Sequence, residues 1–187
     1  MNYTRNFLKS VKRIPYFEEA MEIVMSNSDG NVWLIGGMVY RGIAHELYGT
    51  DLPKVDFDFV VEKPKESYVL PNDWTVLQNS YGNPKFTNGT YEIDFVPLAS
   101  VFSITRRKIT PTFENFLTGT PLNIQSIAYC VKKGTVVGDI GINGIRDKVI
   151  RVNDPEEAIV YARLKGKSLE DIMLEKANQL GFRVATS

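Results

Sequence analysis

The residues best suited to chemistry are acidic, and two of them lie on a stretch that reads as a β-strand, Val55-Asp56-Phe57-Asp58-Phe59-Val60-Val61. Side chains alternate across a strand, so Asp56 and Asp58 are expected on one face and the apolar residues on the other. Two carboxylates held side by side repel each other unless a cation neutralises them. Their oxygens suit Mg²⁺, with Mn²⁺ as a substitute, because hard cations prefer oxygen ligands and bridge to substrate phosphates. Asp94, in Tyr91-Glu92-Ile93-Asp94-Phe95-Val96, is placed to complete a two-metal site and to serve as a base. Such a site activates an attacking hydroxyl and stabilises a leaving pyrophosphate. A solvent-exposed acidic strand edge is the plain alternative, and the strongly apolar opposite face argues against it.

A phosphate has a natural place just upstream. The run Val32-Trp33-Leu34-Ile35 reads as a short buried strand, broken by Gly36-Gly37 and followed by a helix over 38–48 with Tyr40, Ile43, Ala44, Leu47 and Tyr48 at helical spacing. Glycines let the backbone approach a ligand closely, and the helix aims free N–H groups and its positive dipole end back at the turn. Arg41, about one turn in, adds a charge-assisted contact, and Lys54 in the loop before the aspartates is a further cation for a triphosphate. Other residues are read more coolly. His45, four residues after Arg41, is expected to be an ordinary surface histidine, and Arg106-Arg107-Lys108 a solvated face. Cys130 reads as core packing, and Asp139 and Asp147 as turn and cap residues.

The elements that must position these groups follow from periodicity. Residues 5–25 read as helix with a break near Pro15, and Gly49 as the cap ending the 38–48 helix. Strands are expected over 74–77, 85–87 and 91–96, with Asn88-Gly89 as a hairpin turn, then over 127–131 and 135–137, and over 148–152. Residues 100–120 carry no assignable pattern. Asp154-Pro155-Glu156-Glu157 marks a helix start, with an acid at the N-cap and proline at N1, and Ser168 to Asp171 marks another. The expected fold class is α/β (α+β), a mixed sheet flanked by helices, with residues 1–154 as the main domain and 155–187 as a C-terminal helical segment packed on it.

Composition narrows the setting. At 187 residues, with 43% hydrophobic and 24% charged content, the chain is sized for one core. No apolar run approaches the roughly 20 residues that span a bilayer, and the first residues lead into an amphipathic stretch. A single cysteine excludes an internal disulfide and points to a reducing, cytoplasmic compartment. The formal net charge of +0 argues against extensive contact with a nucleic-acid backbone and leaves room for a small nucleotide.

Taken together, Gly36-Gly37, the helix and Asp56-Phe57-Asp58 resemble the signature of the polymerase-β-like nucleotidyltransferase superfamily, and within it the head domain of CCA-adding enzymes and bacterial poly(A) polymerases. Leu34-Ile35-Gly36-Gly37-Met38-Val39-Tyr40-Arg41 is similar to their Gly-Gly-x-Val-Arg-Asp segment, 122–129 to a Phe-Thr-Ile-Asn-Ala-Leu-Ala segment, and 144–151 to a later segment ending in Ile-Arg. Tyr40 precedes the arginine, Gly42 stands where that family has an acid, and Asn123 and Gln125 replace its threonine and asparagine. The resemblance implies metal-dependent transfer of a nucleoside monophosphate from an NTP to an acceptor hydroxyl on an RNA end such as tRNA, a small molecule or a protein. It implies metal-binding roles for Asp56, Asp58 and Asp94 and triphosphate contacts for Gly36, Gly37, Arg41 and Lys54. Two rival expectations stand beside it: an inactive nucleotide-binding or protein-interaction module, and a toxin- or antitoxin-type nucleotidyltransferase.

Overall fold

The strand expected over 55–61 begins two residues late, and the reason lies in its neighbours. In a computed structural model that describes residues 1–185, β2 covers Phe57–Val61 and lies between β1 (Val32–Ile35) and β5 (Glu92–Pro97). It pairs antiparallel with β1 and parallel with β5, with Phe59 opposite Leu34 on one side and Asp58 opposite Asp94 on the other. β1 turns away after Ile35 and β5 pairs back only to Ile93, so residues 55 and 56 have no ladder to join. Val55 is exposed instead of apolar-face packing, and Asp56 sits one residue before the strand.

The remaining strands extend this centre in both directions. β3 (Thr75–Gln78) and β4 (Pro84–Thr87) add beyond β5, and β6 (Ala128–Cys130) and β7 (Thr135–Val137) add beyond β1. The order is β3-β4-β5-β2-β1-β6-β7, with every neighbouring pair antiparallel except β2–β5. The Asn88-Gly89 turn joins β4 to β5, with Gly89 at φ +81°.

One sheet face carries the main core. Phe57, Phe59, Ile93 and Phe95 are essentially inaccessible and pack beneath α1 (Tyr3–Val11), α2 (Phe17–Ser26) and α3 (Gly37–Tyr48). Each such side chain contributes about 1.5–3 kcal/mol through burial. The long N-terminal helix is indeed divided: Pro15 cannot donate a helical hydrogen bond and disfavours helix at the residue before it, and Tyr16, at φ +64°, starts α2. The other face places Asp58 and Val60, Asp94 and Val96 toward a second layer made by α4 (Phe102–Arg107) and α5 (Phe113–Thr118). Trp33 stacks on Phe113 there at 4.1 Å between ring centroids, and Cys130 is buried core, as expected.

Helix α6 (Asp139–Asp147) was not expected, because its two internal glycines weaken helix propensity. Gly144 is needed for a close approach: a β-carbon there would lie 2.5 Å from Asn123 Nδ2. Asn123 is fully buried and donates to the Val149 carbonyl at 2.9 Å, while its Oδ1 accepts from Arg151 N–H at 2.9 Å. The two later segments of family resemblance, 122–129 and 144–151, are therefore packed against each other.

The C-terminal part comprises α7 (Pro155–Lys165), α8 (Leu169–Leu180) and a short parallel pair of β8 (Val149–Ile150) with β9 (Arg183–Val184). Thr186 and Ser187, the end of the segment expected over 155–187, lie outside the described residues. Both caps form: Asp154 accepts from Glu157 N–H and Ser168 from Asp171 N–H, each at 3.0 Å. Arg106 and Arg107 correct the expectation of a solvated basic face. Arg106 Nε donates to the buried Glu157 carboxylate at 3.1 Å and Arg107 lies 3.6 Å from Asp154, tying α4 to the start of α7. Removing Arg106 would strand the carboxylate of Glu157, whose side chain is only 4% exposed. Arg106→Ala is thus expected to lower Tm clearly, whereas Glu175→Ala, in the exposed Lys167–Glu175 pair, changes it little. Thermal melts of both variants check this, and equal shifts would contradict it. Among the described residues no helix is long and apolar enough to cross a membrane.

Candidate functional site

The strand-to-helix junction is shaped around Asp58. Gly36 adopts φ +73° and ψ −151°, a conformation open essentially to glycine alone. A β-carbon at Gly36 would also lie 2.9 Å from Asp58 Oδ2. Helix α3 then starts at Gly37 with no side-chain cap; Val39 N–H donates to the Gly36 carbonyl at 3.3 Å, and Gly37 and Met38 line the cleft that also holds Asp58. A β-carbon at Gly37 meets only the Arg41 and Tyr40 side chains, at 3.6 Å and beyond.

Two clefts meet at Asp58. The first, of about 500 Å³, gathers Gly36, Gly37, Arg41, Lys54, Asp56 and Asp58, bringing together every residue expected for metal and triphosphate except Asp94. Lys165 and Lys176 join Arg41 and Lys54 in its wall. Arg41 donates to Gln179 Oε1 at 2.8 Å, and its buried Nε has no partner. The second cleft, of about 330 Å³, shares Gly36 and Asp58 with the first and adds Asp94, with Val60, Val96 and Phe116 among its apolar lining. Asp94 thus stands across Asp58 from the cations, held at Oδ1 by the Asn79 amide at 3.2 Å.

The electrostatics are those of an acidic centre that nearby cations offset only in part. Burial pushes Asp58 up to about 7, with Asp56 and then Asp94 adding repulsion, and Lys85 and Lys165 opposing the shift. Asp56 is raised also, by burial first and Asp94 second, against Arg41, Lys85 and Lys165. Lys85 is itself engaged by Glu92 at 2.6 Å.

Among the described residues no three His, Cys, Asp or Glu side chains converge as a ready-made metal cluster. The donor set nonetheless fits Mg²⁺. That ion takes one or two carboxylates and completes its shell with waters and substrate phosphates instead of an all-protein cage. Asp56 and Asp58 supply such a pair, and the raised Asp58 marks a charge that a cation would satisfy.

His45 departs from expectation. It lies outside both clefts, partly buried, bonded to Arg13 at 3.0 Å and to the Thr50 carbonyl, beside the buried Glu46. Gly42, where the family has an acid, faces Ser10 and Phe7 of α1 instead of the cleft. Asp139 opens α6 and Asp147 ends it, paired with Arg146 at 2.8 Å. Sequence reasoning missed Tyr161, Lys165, Lys176 and Gln179, which α7 and α8 bring to the cleft from more than 100 residues away in sequence. Their only local signal is helical spacing: Tyr161 and Lys165 at i, i+4, Lys176 and Gln179 at i, i+3.

No protein-family model matches the sequence, and no curated protein matches it significantly. Solved structures do match. The apo form I of a CCA-adding enzyme superposes with a TM-score of 0.66 at 18% identity, over 98% of this chain and 43% of that one. A CCA-adding enzyme in complex with ATP gives 0.64 at 18% identity, over 97% and 42%. The Thermotoga maritima CCA-adding enzyme complexed with tRNA gives 0.58 at 15% identity, over 100% and 43%. The chain spans about two fifths of the length of these structures. It therefore shares the fold of the matched part of these structures, a mixed α+β sheet flanked by helices.

Proposed function

We propose that the protein is a Mg²⁺-dependent nucleotidyltransferase that moves a nucleoside monophosphate from an NTP to an acceptor hydroxyl and releases pyrophosphate. The observation that carries this reading is Asp58, crowded by Asp56 and Asp94 at the point where a cation-lined cleft meets an apolar one. Asp56 and Asp58 hold the metal, and Arg41, Lys54, Lys165 and Lys176, with the α3 amides, take the triphosphate charge. A bound divalent cation would offset the carboxylate charge and polarise the phosphoryl oxygens. Asp94 accepts the proton of the acceptor hydroxyl. The acceptor oxygen bonds to the α-phosphorus, the bond from that phosphorus to the bridging oxygen breaks, and its electron pair leaves with pyrophosphate.

CCA-adding enzymes with this fold support NTP as donor and an RNA end as acceptor. Pyrophosphate release in the presence of Mg²⁺ and an RNA pool tests the reading; Asp56→Ala and Asp58→Ala should each abolish it, and release unchanged in both would sink the proposal.

Arg41 offers a narrower check. Its unpartnered Nε beside Gly37 is a donor that a phosphate oxygen would satisfy. Arg41→Ala is expected to weaken binding of a non-hydrolysable NTP analogue about tenfold or more, as for loss of a charge-assisted hydrogen bond. Equal affinity by titration calorimetry would place the triphosphate elsewhere.

A further inference from the structure

The cleft on the Asp94 side has chemistry unlike its neighbour. None of the residues lining it is a lysine or arginine, while the adjoining cleft carries four. Its floor is the sheet face bearing Asp58, Val60, Asp94 and Val96. Its lining includes two exposed aromatics from different elements: Tyr81, 53% exposed in the β3–β4 turn, and Phe102, 39% exposed on α4. Their rings lie 5.5 Å apart and inclined at 45°, so they are not stacked face to face on each other. Large apolar rings left in water beside a catalytic carboxylate are suited to stacking.

The turn that carries Tyr81 is joined to Asp94 through one side chain. Asn79 donates from Nδ2 to Asp94 Oδ1, and its Oδ1 accepts from the backbone N–H groups of Tyr81 and Asn83, both at 3.0 Å. Whatever rests on Tyr81 is thereby registered against the carboxylate assigned as base.

In-line displacement puts the entering oxygen and the departing pyrophosphate on opposite sides of phosphorus. With pyrophosphate drawn to the cationic cleft, the acceptor arrives from the apolar one. Three carboxylates, Asp58, Asp94 and Glu157, and no lysine or arginine in the lining disfavour a phosphate chain inside the cleft, and about 330 Å³ has room for one base and its sugar. Building on the function proposed above, we infer that this cleft is the acceptor site, that it takes a nucleoside-like group, and that Tyr81 and Phe102 stack on its base while the ribose hydroxyl reaches Asp94. The group can come from a free nucleoside or from the terminal nucleotide of an RNA.

The test is direct binding to the full chain saturated with Mg²⁺ and a non-hydrolysable NTP analogue. Adenosine, cytidine and a short single-stranded RNA with a free 3′ hydroxyl are titrated in turn. At least one should bind, Tyr81→Ala and Phe102→Ala should each weaken it about tenfold, the effect of losing one stacking contact, and Tyr81→Phe should restore it. Analogue affinity should not change in these variants. RNA binding far tighter than the nucleosides assigns the RNA end as source, and comparable binding assigns the free nucleoside. Either result supports the site. Aromatic-dependent binding without pyrophosphate release would leave the site standing and remove the proposed reaction. The inference is overturned if none of the three probes binds, if the alanine variants bind as wild type, or if they lose the NTP analogue instead.

Discussion

Asp58→Asn is expected to make the metal-free protein more stable at pH 8 while removing nucleotidyl transfer. The sign follows from the direction of the Asp58 shift. Its folded value, about 7, lies above the ordinary carboxylate value of 3.8. A group raised on folding favours the protonated folded state, so its contribution is intact below about pH 4 and is lost as pH rises through about 7. At pH 8 the wild type therefore carries an ionised carboxylate that folding has crowded against Asp56 and Asp94, at a cost on the order of a few kcal/mol. Asparagine keeps the shape and discards the charge. In EDTA the variant should melt about 5 °C or more above wild type at pH 8 and close to it at pH 4. Mg²⁺ should narrow the gap by stabilising wild type alone. Transfer should fall about 1,000-fold or more, roughly 4 kcal/mol of transition-state stabilisation. A variant that melts lower than wild type at both pH values would show that Asp58 is a structural residue.

Gly36→Ala is expected to harm stability and site together, whereas Gly37→Ala should do little to stability. At Gly36 an L-residue must adopt φ +73°, ψ −151°, and its β-carbon must displace the Asp58 carboxylate from 2.9 Å. Backbone strain alone costs about 1–3 kcal/mol, and the collision adds to it. At Gly37, inside α3, the added carbon meets flexible side-chain ends at ordinary contact distance, and alanine is the better helix former by about 1 kcal/mol. Urea melts should place Gly36→Ala at least about 2 kcal/mol below Gly37→Ala, and NTP-analogue binding should be lost only in the first, because alanine at position 37 leaves the α3 amides in place. Equal stabilities would contradict the packing of the junction on Asp58.

Much of the frame was legible because it is written in local chemistry. Asp154-Pro155 and Ser168 started helices where their capping geometry required, Gly49 ended α3, and Asn88-Gly89 turned a hairpin. The apolar residues alternating with Asp58 and Asp94 placed the sheet faces correctly, although Asp56 fell outside the strand for want of a pairing partner. Helices α4 and α5 escaped because six residues give less than two turns of periodicity. Helix α6 escaped because Gly141 and Gly144 answer to packing against residues 123–127 and not to helix propensity. The site was half visible. Its carboxylates and Gly36-Gly37 share one local signature, but Lys165, Lys176 and Tyr161 join them only through the tertiary placement of α7 and α8, and Arg106 reads as solvated until Glu157 is beside it.

Covalent transfer centred on Asp58 is tested most directly by following the α-phosphate. The full chain is incubated with Mg²⁺, α-labelled NTP and an RNA pool, and label is traced into the acceptor. Covalent label is expected on the acceptor with wild type, with none in EDTA and none with Asp58→Asn. Label transferred equally by wild type and Asp58→Asn, or to no RNA, nucleoside or protein acceptor by wild type, would contradict it.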